Sequence, residues 1–215
     1  MTNAKEEIMR RIQNATHGLL ERAREYDTIS RNYIQSGTRD QAQRIELFCD
    51  RLRDYGSAVY TCQSDEITSG IANLLNTRQL SCLLVPSGFP AQWLPREFEF
   101  ISDHRLTNEQ IGRADGVITA CALAIASTGT IVLRHSEEAG RRALTLIPDY
   151  HLCLVFENQI VETVPEGIRA MSTFSLAPIT TISGPSATSD IEMTRIKGVH
   201  GPRTLDVLLV GGLNV

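Results

Sequence analysis

Apolar residues recur at helical spacing through the first quarter of the chain. Ile8, Ile12, Ala15 and Leu19 share one face, and Ile45, Phe48, Leu52 and Tyr55 repeat the pattern in TRDQAQRIELFCDRLRDYG. Between them Gly37, in YIQSGTRD, predicts a helix stop. From residue 57 the period changes. SAVYTC reads as a short strand. SDEITSGIANLLNTRQ reads as a helix capped by Ser64, with Ile67, Ile71, Leu74 and Leu75 on one face. LSCLLVPSG follows as a near-continuous apolar strand ended by Pro86 and Gly88. A strand, a helix of crossover length and a second apolar strand predict parallel strands buried on both faces.

The second half continues the alternation. PAQWLP predicts a turn of helix, FEFIS an edge strand, and TNEQ a Thr-x-x-Gln capping box. GVITACALAIASTGTIVL is too long for one strand and predicts two or three short ones. SEEAGRRAL reads as a short helix with Glu137 and Glu138 in its first turn. LTLIP and HLCLVF read as strands, ENQI as a turn, and PEGIRAM as a helix with Pro165 at its first position. PITTISG and LDVLLVGG complete the strands, and PSATSDIEMTRI predicts a helix after Pro185. Helices alternate with strands, which is the α/β class. The simplest division is a helical arm over residues 1–56 and one α/β domain over residues 57–215.

Charge narrows the partners. A formal net charge of −4 and the lack of any basic block argue against nucleic acid. No apolar run approaches the roughly 20 residues that span a bilayer, and MTNAKEEIMRRIQNATHGLL has no apolar signal core. A cytoplasmic location is the expectation. The five cysteines are Cys49, Cys62, Cys82, Cys121 and Cys153, no two within ten residues. That spacing gives no local signature for zinc or an iron–sulfur cluster. Cys82, Cys121 and Cys153 lie in apolar runs and read as small buried hydrophobes.

Three stretches offer chemistry. ASTGT, residues 126–130, fits either a hairpin whose Gly129 takes positive φ or an anion nest with added hydroxyls. LIPDYH puts Asp149 and His151 on one face of an extended chain, as an acid–base pair or as ordinary hydrogen-bonding groups. In SGPSATSDIEMTRIKGVHGPR, residues 183–203, Ser189-x-x-Glu192 fits a capping box at a helix start. A helix start binds anions, and Lys197, His200 and Arg203 follow among glycines. Spacing alone leaves this stretch balanced between an anion site and a capped helix with a polar turn.

SGPSATSDIEMTRIKGVHGPRTLDVLLV closely resembles the C-terminal signature of the LUD-domain family, the lactate-utilisation protein C group. ADGVITACALAIASTGTIVL and GRRALTLIPDYHLCLVFENQIV are similar to that family's central motifs. The strong resemblance covers roughly residues 97–210. It implies a Rossmann-like three-layer α/β sandwich of the NagB/RpiA/CoA-transferase kind, here with an N-terminal helical extension. It implies work alongside two iron–sulfur partner proteins that oxidise L-lactate to pyruvate, with no cofactor in this chain. Ser127, Thr128, Gly129 and Thr130 match the central turn. Gly184, Ser186, Thr188, Asp190, Glu192, His200, Gly201 and Arg203 match the C-terminal signature. On this resemblance Thr128, Gly129, Thr130, Gly184, Ser186, Thr188 and Arg203 are expected to bind a small anionic ligand. His200 is the expected proton-transfer residue, with Asp190 or Glu192 either ordering neighbouring loops or acting as a further acid–base group. A stand-alone enzyme or sensor for a phosphorylated, acyl or hydroxy-acid ligand is the alternative. Arg141 and Arg142 fit the surface equally well.

Overall fold

The computed structural model describes residues 4–16, 28–137, 139–174, 177–185, 187–188, 196–197 and 200–212. The chain forms two compact units, residues 1–33 and 34–215. The first contains helix α1 (Ala4–Thr16), with no buried residue. Within α1, Glu7 accepts from both Arg10 and Arg11 at helical spacing.

The second unit is built on a six-stranded sheet. Its strands are β1 (Ala58–Gln63), β2 (Cys82–Val85), β3 (Glu99–Ser102), β4 (Gly116–Ala120), β7 (Tyr150–Phe156) and β12 (Thr204–Gly211). They lie in the order β1-β12-β7-β4-β2-β3, every pair parallel. A smaller sheet holds β8 (Ile160–Val161), β5 (Leu123–Ile125), β6 (Thr130–Arg134) and β9 (Ile179–Ile182), in that order. The stretch expected to give two or three strands thus supplies β4, β5 and β6, and FEFIS lies at a sheet edge as β3. β1 and β2 are parallel, as their crossover predicts, yet not neighbours: β12 and β7 lie between β1 and β4.

Period-two alternation builds the layers. Leu205, Val207 and Leu209 of β12 face one side. There they join Phe48, Cys49 and Leu52 of helix α2 (Gln41–Asp54) and Ile131 and Leu133 of β6. Leu208 and Val210 face the other side, against Ile67, Ile71, Leu74 and Leu75 of helix α3 (Ile67–Arg78). Val132 faces outward with Ala170 and Met171 of helix α5 (Val164–Met171). This is the expected Rossmann-like three-layer arrangement. Capping follows the sequence in places. Thr107 and Gln110 form the capping box of α4 (Asn108–Ile111), and Thr163 and Glu166 form that of α5.

Four expectations are corrected. Glu66, not Ser64, is the N-cap of α3, without a side-chain capping bond. SEEAGRRAL is not a helix beginning at its glutamates: Gly140 turns at φ +70° and only Arg142–Thr145 winds, as a 3-10 turn. LTLIP is not a strand. Leu144 and Thr145 belong to that turn, and Leu144 is buried against Leu84, Ile111 and Val117 as a plug. Finally, PSATSDIEMTRI is not helical at residues 187 and 188. Ala187–Thr188 (β10) pairs antiparallel with Ile196–Lys197 (β11), which suits β-branched Thr188 and Ile196. Ser186, Glu138, Asp190 and Glu192 lie outside the described residues. Of the three cysteines in apolar runs, Cys121 and Cys153 are buried, whereas Cys82 is half-buried on β2 beside the edge strand.

Candidate functional site

The turn before β7 and the turn before β12 meet below β9. Together they enclose a cavity of about 270 Å³ lined by Arg142, Thr145, His151, Thr180–Pro185, His200–Pro202 and Leu205. It lies at the amino ends of β7 and β12, because His151 and Leu205 are the second residues of those strands. Of the residues singled out in the sequence, His151, Gly184, His200 and Gly201 line it directly.

Arg142 is fixed on the cavity wall. Its guanidinium donates to the Thr145 carbonyl at 2.8 Å, to Thr145 Oγ1 at 3.1 Å and to the His200 carbonyl at 3.4 Å. A guanidinium carries five N–H donors, so these bonds leave donors for a ligand. Arg141 points elsewhere: it forms a fork with Asp103 at 2.7 and 3.1 Å and bonds the Leu106 carbonyl. That guanidinium holds the Asp103 carboxyl below its ordinary range. The consecutive arginines of GRR therefore divide, one to a structural pair and one to the cavity.

His151 closes the inner end of the cavity at 1 % exposure. Its Nε2 shares a 2.8 Å hydrogen bond with Thr119 Oγ1. Burial, aided by the charge of Arg142, lowers its pKa to about 3. It is a neutral imidazole at pH 7 and contributes hydrogen bonding rather than charge. Asp149 does not pair with it. Asp149 meets Arg203 at 3.5 Å with both side chains mostly exposed, an arrangement of small energetic weight. Arg203 is thus placed beside the cavity, outside its described lining.

The ASTGT turn approaches from the small sheet. Residues 126–128 form a 3-10 turn between antiparallel β5 and β6, and Gly129 takes φ +58°. A chain of hydroxyls runs from it: Thr128 Oγ1 to Thr130 Oγ1 at 2.7 Å, then Thr130 Oγ1 to Ser183 Oγ at 2.8 Å. Ser183 lines the cavity, so Thr130 reaches it through Ser183 and Thr128 through Thr130 and Ser183. Gly184 holds φ +86°, and a Cβ there would lie 2.5 Å from Tyr55 Cβ. Gly184→Ala is therefore expected to lower unfolding free energy by about 1–3 kcal/mol through backbone strain and overpacking on α2. Urea unfolding measures it, and an unchanged midpoint would count against this packing role. Thr188 is placed on β10, and nothing is assigned to its side chain.

The cavity's character follows from its lining. One guanidinium, two imidazoles, hydroxyls and glycine backbone converge, and no acid lines it among the described residues. Such a site suits a small carboxylate, which a guanidinium can grip in two-point fashion. Among the described residues no cluster of three His, Cys, Asp or Glu could hold a metal, and no helix is long and apolar enough to cross a membrane. Sequence reasoning missed Arg142 and Ser183 as cavity residues. Local pattern cannot separate Arg142 from Arg141, and Ser183 is marked only by the hydroxyls it meets across the sheet.

Comparison with known proteins follows the same segments. The model of the LUD domain matches residues 45–210. A Lactate utilization protein C from Deinococcus radiodurans is 47% identical over 175 residues, 80% of this chain and 81% of that protein. A protein of the same name from Shouchella clausii is 34% identical over 105 residues, 46% of this chain and 45% of that protein. The crystal structure of a DUF162 family protein from Deinococcus radiodurans is 40% identical, with a TM-score of 0.69 over 81% of this chain and 100% of that one.

Proposed function

The chain belongs to the LUD-domain family, and from that membership we propose that it serves lactate utilisation by holding a small hydroxy or keto acid in the Arg142 cavity. In this reading it is a cytoplasmic subunit of an iron–sulfur system that oxidises L-lactate to pyruvate. The observation that carries the reading is the described lining, in which a guanidinium, two imidazoles and hydroxyls converge and no acid stands among the described residues. Arg142 grips the carboxylate, and the Ser183 hydroxyl, backed by Thr130 and Thr128, offers a bond to the substrate hydroxyl. His200 is the proton carrier, since His151 is held neutral. Arg203, held near Asp149 beside the cavity, acts at its rim. Oxidation of L-lactate to pyruvate releases two electrons and two protons; clusters in two iron–sulfur partners would take the electrons, and the protons would leave to His200 and solvent. The dispersed cysteines of this chain support placing the clusters there.

A second reading is a stand-alone enzyme or sensor of the same ligand. All the described lining comes from one compact unit of this chain, which supports this reading. Growth and capture separate the two. A deletion strain is expected to lose growth on L-lactate, and the wild-type chain to restore it while co-purifying two iron–sulfur proteins. Arg142→Gln is expected to retain that capture without restoring growth. Normal growth of the deletion strain and capture of no iron–sulfur protein would sink the subunit reading.

A further inference from the structure

The strand order has a switch point. The chain leaves β2 outward to β3, then returns on the other side of β2 as β4 and proceeds to β7. In open parallel sheets a crevice forms at the carboxyl ends of strands where the winding reverses, and ligands bind there. The Arg142 cavity is at the opposite, amino ends. A separate cavity of about 440 Å³ lies at the switch point, lined by Gly88, Pro90 and Trp93 after β2, by Ala120–Ala122 at the end of β4, and by Gln159 after β7. Arg134, Ser136, Ala139 and Phe174 close it from the small-sheet side.

We propose that this crevice is a second ligand site, taking a mononucleotide-like anion with its flat ring near Trp93 and its phosphate at Arg134. Size is the first argument. The volume suits an organic molecule much larger than a three-carbon acid. Chemistry is the second. Trp93 is set by Phe89 at 5.6 Å and Phe156 at 5.5 Å between ring centroids, so an aromatic surface is held in place before any ligand arrives. Period two puts Arg134 on the outward face of β6 with Val132, and its guanidinium sits 5.5 Å over the Phe174 ring. No acid lines the crevice among the described residues.

The remaining polar groups define the walls. Gln159 Nε2 donates to the Cys121 carbonyl at 2.9 Å, and its Oε1 accepts from Phe156 N at 3.0 Å and Cys121 Sγ at 3.1 Å. Gln159 is occupied in joining the ends of β4 and β7, and Arg134 is the one cationic side chain among the described lining residues. The rim is tied across by Gly88 N donating to the Glu137 carbonyl at 2.9 Å, and a Cβ on Gly88 would lie 2.9 Å from Glu137 Cβ.

Trp93 is the sole tryptophan of the chain, so its emission reports on this crevice alone. The full-length protein is titrated with AMP, FMN, adenosine and inorganic phosphate, following emission and heat in parallel. AMP or FMN is expected to bind saturably, with adenosine and phosphate each weaker by about tenfold or more, the usual worth of a charge-assisted contact or a stacked ring. Arg134→Gln is expected to weaken the nucleotide by at least about tenfold. Ala122→Leu, which fills the crevice without removing a charge, is expected to abolish binding. Arg113→Gln removes an exposed charge elsewhere and is expected to change nothing. Failure of both nucleotides to bind, phosphate binding as tightly as either, or binding indifferent to both Arg134→Gln and Ala122→Leu would overturn the proposal. None of these results bears on the Arg142 cavity, which fails or stands with lactate binding.

Discussion

Arg78→Ala is expected to destabilise the protein by about 3–5 kcal/mol, as removal of one partner of a buried ion pair does. Asp206 sits on β12 at 0 % exposure, on the face that meets α3. Arg78, in the last turn of α3, donates to both carboxylate oxygens at 2.7 Å, and Tyr150 Oη donates to one at 3.1 Å. Burial and the Asp206 charge together push the Tyr150 hydroxyl well above its ordinary pKa, so it remains a donor. Without Arg78 the carboxylate keeps a single neutral donor in an apolar layer. The reverse change is milder. Arg78 is 35 % exposed and can turn to water, so Asp206→Asn is expected to cost about 1–3 kcal/mol. The double variant is expected to lose less than the two single losses combined, because each single change strands the other's partner. Urea unfolding of the three variants decides it. Strict additivity, or a cost for Arg78→Ala below that of Asp206→Asn, would refute the account of this pair.

Acid is expected to weaken the fold through His151. Its folded pKa is about 3, against an unfolded value of 6.5. Above the unfolded value neither state binds the proton, and the histidine contributes no pH dependence. Between 6.5 and 3 the unfolded chain binds a proton that the folded chain refuses. Stability from this group therefore falls by about 1.4 kcal/mol per pH unit as pH drops through that window. His151→Gln keeps a hydrogen-bonding group for Thr119 Oγ1 and has nothing to titrate. It is expected to be less stable than wild type at pH 7 and to show a shallower acid loss. Parallel pH profiles for the two proteins would contradict the burial argument.

Local pattern revealed the layers and not their order. Alternation along LDVLLVGG and the helical spacing of Phe48 and Leu52 were legible because each element buries its own face. Nothing local says that β12 inserts between β1 and β7, since that pairing joins residues far apart in the chain. The errors share a cause. LTLIP has the composition of a strand, yet Leu144 fills a gap beneath Leu84 and Ile111, and packing overrides propensity. PSATSDIEMTRI holds good capping residues, but where it is described its β-branched positions pair as a ladder. In the fold Asp149 immediately precedes β7 and residues 200–203 immediately precede β12, at the amino ends of those strands. His200 and Gly184 were still found at the cavity, because the resemblance marked them independently of the secondary structure around them. Arg142 required the fold, which sends its neighbour Arg141 to Asp103.

The central claim is that the Arg142 cavity holds a small carboxylate. Calorimetric titration of the full-length protein with L-lactate and with pyruvate, beside the Arg142→Gln variant, tests it most directly. Saturable binding of at least one acid is predicted, weakened by about tenfold to a hundredfold in the variant, as loss of a charged hydrogen-bonding group implies. No binding of either acid to the wild-type protein, or the same affinity in both proteins, would contradict it.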